Sequence, residues 1–238
     1  MLTKGNKKLG KRLIWGFTLP SGTDAVCPGR TAICSRHCYS KRLEMLRPKV
    51  HKAYQRNLLL TQRKDFTKRV YHFLRANRIR VVRIHCGGDF GSAEYAHKWL
   101  RIIQRSPRVR FFYYSRSWRD PSIRLVLEQM AGLQNCSSWF SCDAETGLPA
   151  DVPPRIRLAW LQVDANDIPP ATVHLVFRDY RLRKQRIVNS NGAHVCPEQD
   201  GIVRTQRITC DTCQWCFSSN KIGHRVQHRL ALPLVSEA

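Results

Sequence analysis

Apolar and polar residues alternate along the chain in two different periods, and the period predicts which segments are strands and which are helices. Short runs rich in β-branched and aromatic residues, such as RIRVVRIHC at residues 78–86, indicate strands, whereas apolar residues three and four apart indicate helices. The pattern predicts strands at residues 12–19, 78–86, 109–115, 137–142, 157–163 and 173–177, and helices at residues 35–46, 49–60, 64–76, 92–105 and from Asp120 onward.

The order of these elements indicates an α/β fold. Strand and helix alternate through residues 78–142, which favours βαβ units and a parallel sheet covered by helices. Because the later strands have shorter connections, we expect a partial (β/α) barrel-like sheet rather than a complete eight-fold barrel. Residues 1–185 should form this core, and residues 186–238 should form a cysteine-rich, metal-bound tail packed on it with little regular structure.

Polar side chains follow the predicted strands at the point where each strand ends. Asp89 follows the strand at 78–86, Arg116 the next strand, Asp143 the third and Asp164 the fourth. In parallel α/β folds the carboxyl ends of the strands are where sites are built, so these four residues are candidate catalytic residues. The alternative is that they are ordinary polar loop residues.

Seven of the ten cysteines fall in two tight groups. The first group comprises Cys27, Cys34 and Cys38. The second group comprises Cys196, Cys210, Cys213 and Cys216. Cysteines this close in sequence cannot easily bond one another, whereas the same spacing wraps a short loop around a metal centre.

The two groups differ in the number of ligands that they supply. Four thiolates can hold a four-iron, four-sulfur (4Fe-4S) cluster or a closed tetrahedral zinc site, and the repeated two-residue spacing from Cys210 favours iron–sulfur. Three thiolates leave one iron of such a cluster open to a substrate or cofactor; His37 is an alternative fourth ligand for zinc. Gly87 and Gly88 would let a cofactor approach the backbone, and Asp89 could hold its amine, although a glycine-rich turn with a capping aspartate is the alternative.

The charge of the chain indicates its partner. The formal net charge is +24, with 21 Lys and Arg against three acidic residues in residues 1–88. A field of this kind favours contact with a nucleic acid, and we expect DNA rather than RNA. No apolar run is long enough to cross a bilayer, so we expect no membrane partner and a cytoplasmic location.

Several motifs resemble those of a known family. The segments FTLPSG, CPGRTAIC with Cys38, IHCGGDFGSAEY, FFYYSRSWR, SCD and the last four cysteines occur in the order typical of the phage and plasmid gene product 88 family. The chain is also distantly similar to radical S-adenosylmethionine enzymes, which hold a three-cysteine cluster at the mouth of a partial barrel. Cys34 and Cys38 match the first half of their ligand triplet; Lys41 stands at the third position, so Cys27 would serve as the third ligand.

These observations leave three functions open. The chain is expected to be a basic, metal-binding protein, iron–sulfur in type, that contacts nucleic acid in the replication, transfer or regulation of a mobile element. The first alternative is a radical S-adenosylmethionine-like enzyme that modifies a nucleic acid; whether the chain is an enzyme stays open, as does its oligomeric state. The second alternative is a divalent-metal nuclease that uses Asp89, Asp143 and Asp164.

Overall fold

The computed structural model describes residues 1–182, 189–198 and 208–218. Its central feature is one eight-stranded sheet in which the strands follow one another in sequence order. The first pair of strands is antiparallel, and every later pair is parallel. The strands are β1 (Thr3–Asn6), β2 (Gly10–Gly16), β3 (Val81–Ile84), β4 (Arg110–Ser115), β5 (Cys136–Cys142), β6 (Ile156–Gln162), β7 (Leu175–Arg178) and β8 (His194–Val195).

Helices occupy the first three long connections between the parallel strands. Four helices lie between β2 and β3, one between β3 and β4, and one between β4 and β5. These helices are α1 (Ala32–Arg36), α2 (Tyr39–Leu46), α3 (Pro48–Gln62), α4 (Phe66–Ala76), α5 (Ala93–Arg105) and α6 (Pro121–Gly132); a short helix α7 (Cys210–Cys213) follows β8. The mixed α/β class and the mostly parallel sheet are therefore confirmed, whereas closure into a partial barrel stays a prediction.

Alternation along the strands supplies both faces of the sheet with apolar side chains. In β4, Phe111 and Tyr113 join the main core, whereas Phe112 and Tyr114 point to the opposite face. The main core lies between the sheet and α4, α5 and α6. The buried face of α5 contributes Trp99 to this core, and Trp99 is fully buried. A parallel sheet that is covered on both faces explains the apolar character of its strands.

Residues 208–218 cover part of the opposite face. Phe217 packs on Phe112 with ring centroids 5.1 Å apart, and the Trp139 indole N–H donates to the carbonyl of Cys216 at 3.0 Å. The carboxylate of Asp211 accepts three consecutive amide N–H groups of β2, those of residues 12–14, at 2.8 to 3.2 Å. The cysteine-rich segment is thus attached to the sheet through main-chain donors.

One local prediction needs correction. The helix predicted at residues 35–46 is two helices, because Cys38 has an extended backbone (φ −71°, ψ 102°) and begins α2 as its N-cap. The described part of the tail contains only the two-residue strand β8 and the four-residue helix α7, in line with the little regular structure expected there. The remainder of that tail, residues 186–188, 199–207 and 219–238, lies outside the described residues, and the division into core and tail at residue 185 stays a prediction.

No helix in the described part of the chain is long and apolar enough to span a bilayer.

The anchor at Asp211 can be tested by substitution. Asp211→Ala should lower the free energy of unfolding by about 2 kcal/mol, because three amide N–H groups lose their acceptor. Amide hydrogen exchange should accelerate at residues 12–14 and 208–218 before the rest of the sheet. Asp151→Ala, a change at an exposed carboxylate, is the control, and equal exchange in both variants would contradict the anchor.

Candidate functional site

The segment that carries the first three cysteines leaves the carboxyl end of β2 and folds over the neighbouring strand ends. The amide of Phe17 donates to the carbonyl of Arg83 at 3.0 Å, and the amide of Leu19 donates to Gly87 at 3.0 Å. These main-chain bonds continue the β2–β3 ladder beyond the strands. They bring the cysteine segment onto the turn that follows β3.

Each cysteine of this group has a defined local position. The Cys27 amide donates to the carbonyl of Thr23 in a turn. The Cys34 amide donates at 2.8 Å to the hydroxyl of Thr31, which is the N-cap of α1. The Cys38 sulfur accepts from the amide of Lys41 in the first turn of α2 at 3.4 Å. All three side chains are half-buried.

The three cysteines open into one cavity of about 200 Å³ at the carboxyl edge of the sheet. The sequence had placed Gly87, Gly88, Asp89 and Arg116 in a site with them, and all four line this cavity. The remaining lining residues come from the strands β3 to β7, the first hairpin and the cysteine segment, and include Lys8, Ser21, Arg30, His37, Tyr39, Arg83, Cys86, Tyr114, Ser141 and Phe177.

Glycine is required where the cysteine segment touches the turns after β3 and β4. A Cβ at Gly29 would lie 1.9 Å from the carbonyl oxygen of Arg116, and a Cβ at Gly87 would lie 1.9 Å from the Ser40 hydroxyl. Both contacts would be severe clashes: a larger residue at position 29 would require movement of the backbone, and one at position 87 would displace the side chain of Ser40. The close approach of Gly29 to the main chain of Arg116 brings the cysteine segment over the strand ends.

Asp89 holds the turn after β4 in place. Its carboxylate accepts from the Ser115 hydroxyl at 2.7 Å, from the Arg116 amide at 2.7 Å and from the Ser117 amide at 3.3 Å, as well as from the amide of Phe90. Burial raises the pKa of this carboxyl, and these donors oppose the rise. With so many internal donors, Asp89 joins two turns of the site; contact with a cofactor amine stays a prediction.

Asp143 and Arg116 form a buried ion pair beside this network. The Arg116 guanidinium donates to Asp143, whose carboxylate is fully buried. The same carboxylate accepts from the Thr31 hydroxyl at 2.8 Å and from the amides of Glu145 and Thr146. Because Thr31 caps the helix that carries Cys34, the turn after β5 is tied directly to the cysteine segment.

The fourth candidate, Asp164, lies elsewhere. Its side chain is exposed and accepts from the amide of Asn166 at 2.8 Å, in a turn that follows β6. Asp164 does not line the cavity. The structure thus brings Asp89, Arg116 and Asp143 together and leaves Asp164 outside.

Two cations in the cavity escaped the sequence analysis. Arg83 points inward from the middle of β3, and its buried Nε has no hydrogen-bond partner in the described part of the chain. Lys8 lies between β1 and β2, 3.3 Å from Glu198, and its ammonium faces the ring of Phe177. The signal for Arg83 was a charge inside an apolar strand; nothing in the sequence around Lys8 distinguished it from other surface lysines.

Burial controls the protonation of two of these thiols, those of Cys27 and Cys34. It raises the pKa of Cys27 to about 12, and the charges of Asp89, Cys34 and Cys38 add to the increase. Burial also raises the pKa of Cys34, although Arg116 opposes the rise. The thiols of Cys27 and Cys34 are therefore protonated near neutral pH in the absence of a bound cation. A metal ligated here would have to displace these protons.

The second group of cysteines lines a separate apolar crevice. Cys196 follows β8 and donates its amide to Val176, and the other three residues lie on or just after α7. Burial raises the pKa of Cys210 to about 12 and also raises that of Cys216. The crevice is bounded by all four sulfur-bearing residues, Cys196, Cys210, Cys213 and Cys216.

The sulfurs do not converge on a single point. Among the described residues, no set of three or more cysteine, histidine, aspartate or glutamate side chains is arranged to hold one metal ion. A mononuclear zinc site needs every sulfur within about 2.3 Å of the ion. A cubane binds each thiolate through a different iron. An iron–sulfur centre at either group of cysteines therefore stays a prediction.

Comparison with known proteins decides the family. The family model described as "Gene product 88" matches residues 1–228. The chain belongs to the Gene product 88 family. This finding confirms the resemblance to a phage gene product family, whereas similarity to radical S-adenosylmethionine enzymes stays a prediction.

Two phage proteins illustrate how far the similarity to Gene product 88 relatives extends. "Gene 88 protein" of Mycobacterium phage L5 is 32% identical over 138 residues, which are 53% of this chain and 56% of the L5 protein. "Gene 88 protein" of Mycobacterium phage D29 is 26% identical over 218 residues, 85% of this chain and 82% of the D29 protein. The match therefore spans about half the length of the L5 relative. No solved structure matches this chain.

The role of Asp89 in this Gene product 88 family member can be tested by substitution. Asp89→Ala should lower the free energy of unfolding by about 3 kcal/mol, because the donors of residues 115–117 are left unpaired in the interior. Asp164→Ala is the matched control, since that carboxylate is exposed. Thermal denaturation followed by circular dichroism measures both, and an unchanged midpoint for Asp89→Ala would show that Asp89 is not a structural anchor.

Proposed function

We propose that the chain is an iron–sulfur protein with two separate centres. Cys27, Cys34 and Cys38 would hold a 4Fe-4S cluster with one iron free of protein ligands. The second group, Cys196 to Cys216, would hold a closed four-thiolate centre. The free iron would bind S-adenosylmethionine in the cavity at the carboxyl edge of the sheet, and the protein would act on a nucleic acid.

One observation carries this proposal: three cysteines of a single segment line one cavity together with the glycine turn after β3 and the turn after β4. In an open parallel sheet, the carboxyl edge is where ligands bind. A site with only three thiolates leaves a coordination position for a ligand, in contrast to the four-thiolate group. Because the first group has only three thiolates, we place the binding of S-adenosylmethionine there.

The backbone around the cavity suits the approach of a cofactor. Gly88 has a left-handed backbone conformation (φ +75°), and its amide donates to the Ser21 hydroxyl at 3.0 Å. His85, which directly follows β3, also has a positive φ of +57°, which is a strained conformation for a non-glycine residue. Strain of this kind occurs where a turn is shaped for a ligand.

The charges that face the cavity favour an anionic substrate. Burial acts to lower the pKa of Lys8, but the charges of Cys196 and Glu198 outweigh it and raise the pKa, so the ammonium stays protonated. Arg83 presents a guanidinium whose Nε lacks a partner among the described residues. Arginine and lysine are the usual partners of phosphate, which agrees with a nucleotide as substrate.

The chemistry of the open centre would come from the bound group. When bound, a reduced cluster would supply one electron and an iron with an open coordination position, and reductive cleavage of S-adenosylmethionine requires both. The residues of the chain would bind and orient the reactants: Arg83 and Lys8 would bind the anionic part of the substrate, and the Asp89 and Asp143 networks would keep the turns of the cavity fixed.

The nuclease alternative finds no support in the geometry. The carboxylate oxygens of Asp89 and Asp143 accept hydrogen bonds from donors inside the protein, and Asp164 lies outside the cavity. The described residues therefore do not bring three carboxylates together for a two-metal site.

Metal analysis of the full chain purified without oxygen tests the two centres. The protein should be brown and contain iron and sulfide, and replacement of Cys27, Cys34 and Cys38 by Ala should remove about half of the iron, as should replacement of the second group. Cys136→Ala, at an isolated half-buried cysteine, should retain all of it. A colourless protein with stoichiometric zinc would contradict the iron–sulfur assignment.

Product analysis tests the open centre. With dithionite and S-adenosylmethionine, the unmodified chain should release 5′-deoxyadenosine, and the triple variant of the first group should release none. Release of 5′-deoxyadenosine by the triple variant would contradict the assignment of the open centre to the first group. If the iron-loaded unmodified chain releases none, the first group holds a closed, non-catalytic centre.

A further inference from the structure

A second groove lies at the opposite edge of the sheet, where β3 and β4 begin. It is bounded by the last turn of α4, the segment that leads into β3, and residues 105–109 between α5 and β4, and it has a volume of about 500 Å³. The cysteine cavity lies at the carboxyl ends of the same strands, so the two are separate. The walls of this groove carry five arginines, Arg75, Arg78, Arg80, Arg105 and Arg108.

The described residues do not neutralise the positive charge of this arginine groove. All five arginines are exposed, and no acidic residue of residues 1–182, 189–198 and 208–218 lines the groove. Within the described part of the chain, none of the five forms an ion pair, although arginines elsewhere, such as Arg69 with Asp65 and Arg124 with Glu128, do. Five neighbouring guanidinium groups repel one another, so an anion would stabilise the arrangement.

The aromatic side chain of Tyr71 organises part of the groove. The guanidinium of Arg105 lies 4.9 Å from the centre of the Tyr71 ring, and that of Arg75 lies 5.8 Å from it. Two cations held against one ring are restricted in their rotamers. Their donors are thereby pre-organised at the surface, which lowers the entropic cost of ligand binding.

Helix dipoles account for only a small part of the charge. Arg75 and Arg105 lie in the last turns of α4 and α5, where a cation is favourable. Each helix end contributes only about half a negative charge, so two ends offset about one of the five arginines. Arg78, Arg80 and Arg108 lie beyond the helices and have no such partner.

We propose that the arginine groove binds the phosphate backbone of a nucleic acid. The planar guanidinium donates two parallel N–H groups to a phosphate, and several arginines along one groove match the repeated charges of a nucleic-acid strand. An acidic protein is the competing partner, but carboxylates on a folded surface do not repeat at the short, regular spacing of phosphates. The inference rests on the nucleic-acid part of the proposed function and is independent of the cysteine centres.

Salt-dependent binding to labelled nucleic acid tests the groove. The probes are a 30-nucleotide single strand, the corresponding DNA duplex and an RNA of the same sequence, each with fluorescein, and anisotropy is measured from 50 to 200 mM KCl. The variant Arg78→Gln/Arg80→Gln/Arg108→Gln removes three exposed charges that make no ring contact. The control Lys4→Gln/Lys7→Gln/Lys11→Gln removes the same charge from the first hairpin.

The groove variant should bind on the order of a hundredfold more weakly at 100 mM salt, and the slope of log K against log salt should fall by about 2 to 3, because three phosphate contacts are lost. The control should change affinity less than about tenfold. Circular dichroism melting curves of both variants establish that they are folded.

Three results would overturn the assignment in distinguishable ways. Equal losses in the groove variant and the control would show that nucleic acid contacts the whole basic surface, which contradicts the role of the groove but not the nucleic-acid partner. No binding by the unmodified chain would contradict both the groove and the nucleic-acid partner, and would not bear on the cysteine centres. Equal binding of polyglutamate, with the same loss in the groove variant, would identify an acidic protein as the partner.

Discussion

Two buried carboxylates hold the carboxyl edge of the sheet in a single arrangement, and the cysteine cavity depends on them. Asp89 joins the turn after β3 to the turn after β4, and Asp143 joins the turn after β5 to the N-cap of α1. A carboxylate taken out of water costs several kcal/mol unless donors replace the water, roughly the scale seen for buried ions in general. The donors replace water only when all three turns and the cysteine segment are in place, so the network favours one geometry.

The opposite face of the sheet shows how the second group of cysteines is joined to the same core. The Asp211 carboxylate accepts from three amides of β2, and the side chains of Trp139 and Arg157 both donate to the carbonyl of Cys216. The guanidinium of Arg157 also lies 3.9 Å from the centre of the Trp139 ring. The crevice of the second group is therefore built on the sheet itself. Burial raises the pKa of Cys210, and the positive charges of Lys8 and Arg83 oppose that rise without overcoming it.

The polarity of the parallel strands separates two chemical environments. At the carboxyl edge, loops fold inward and bury carboxylates, cations and thiols around a small cavity. At the amino edge, helices α4 and α5 end, and the five arginines of the groove are exposed there and form no ion pair with an acidic residue that the structure describes. Because the two edges are at opposite ends of the same strands, the exposed arginines are kept apart from the buried thiols and carboxylates.

Local sequence determined the elements and some of their details. The apolar periods located α5, α6 and the parallel strands to within a few residues, Asp120 caps α6 as its position before Pro121 indicated, and the cysteine spacing distinguished two groups. These features depend on neighbours within a few residues, which is why a sequence pattern can predict them.

Only the tertiary structure decided which polar residues belong to the site. Asp89, Asp143 and Asp164 look alike in sequence, each after a strand, yet the first two are buried among donors and the third is exposed. The hydrogen bond from Thr31 to Asp143 joins residues 112 positions apart, and Lys8 enters the cavity from a hairpin at the start of the chain. Contacts of this length follow from the packing of the sheet, and no local period carries information about them.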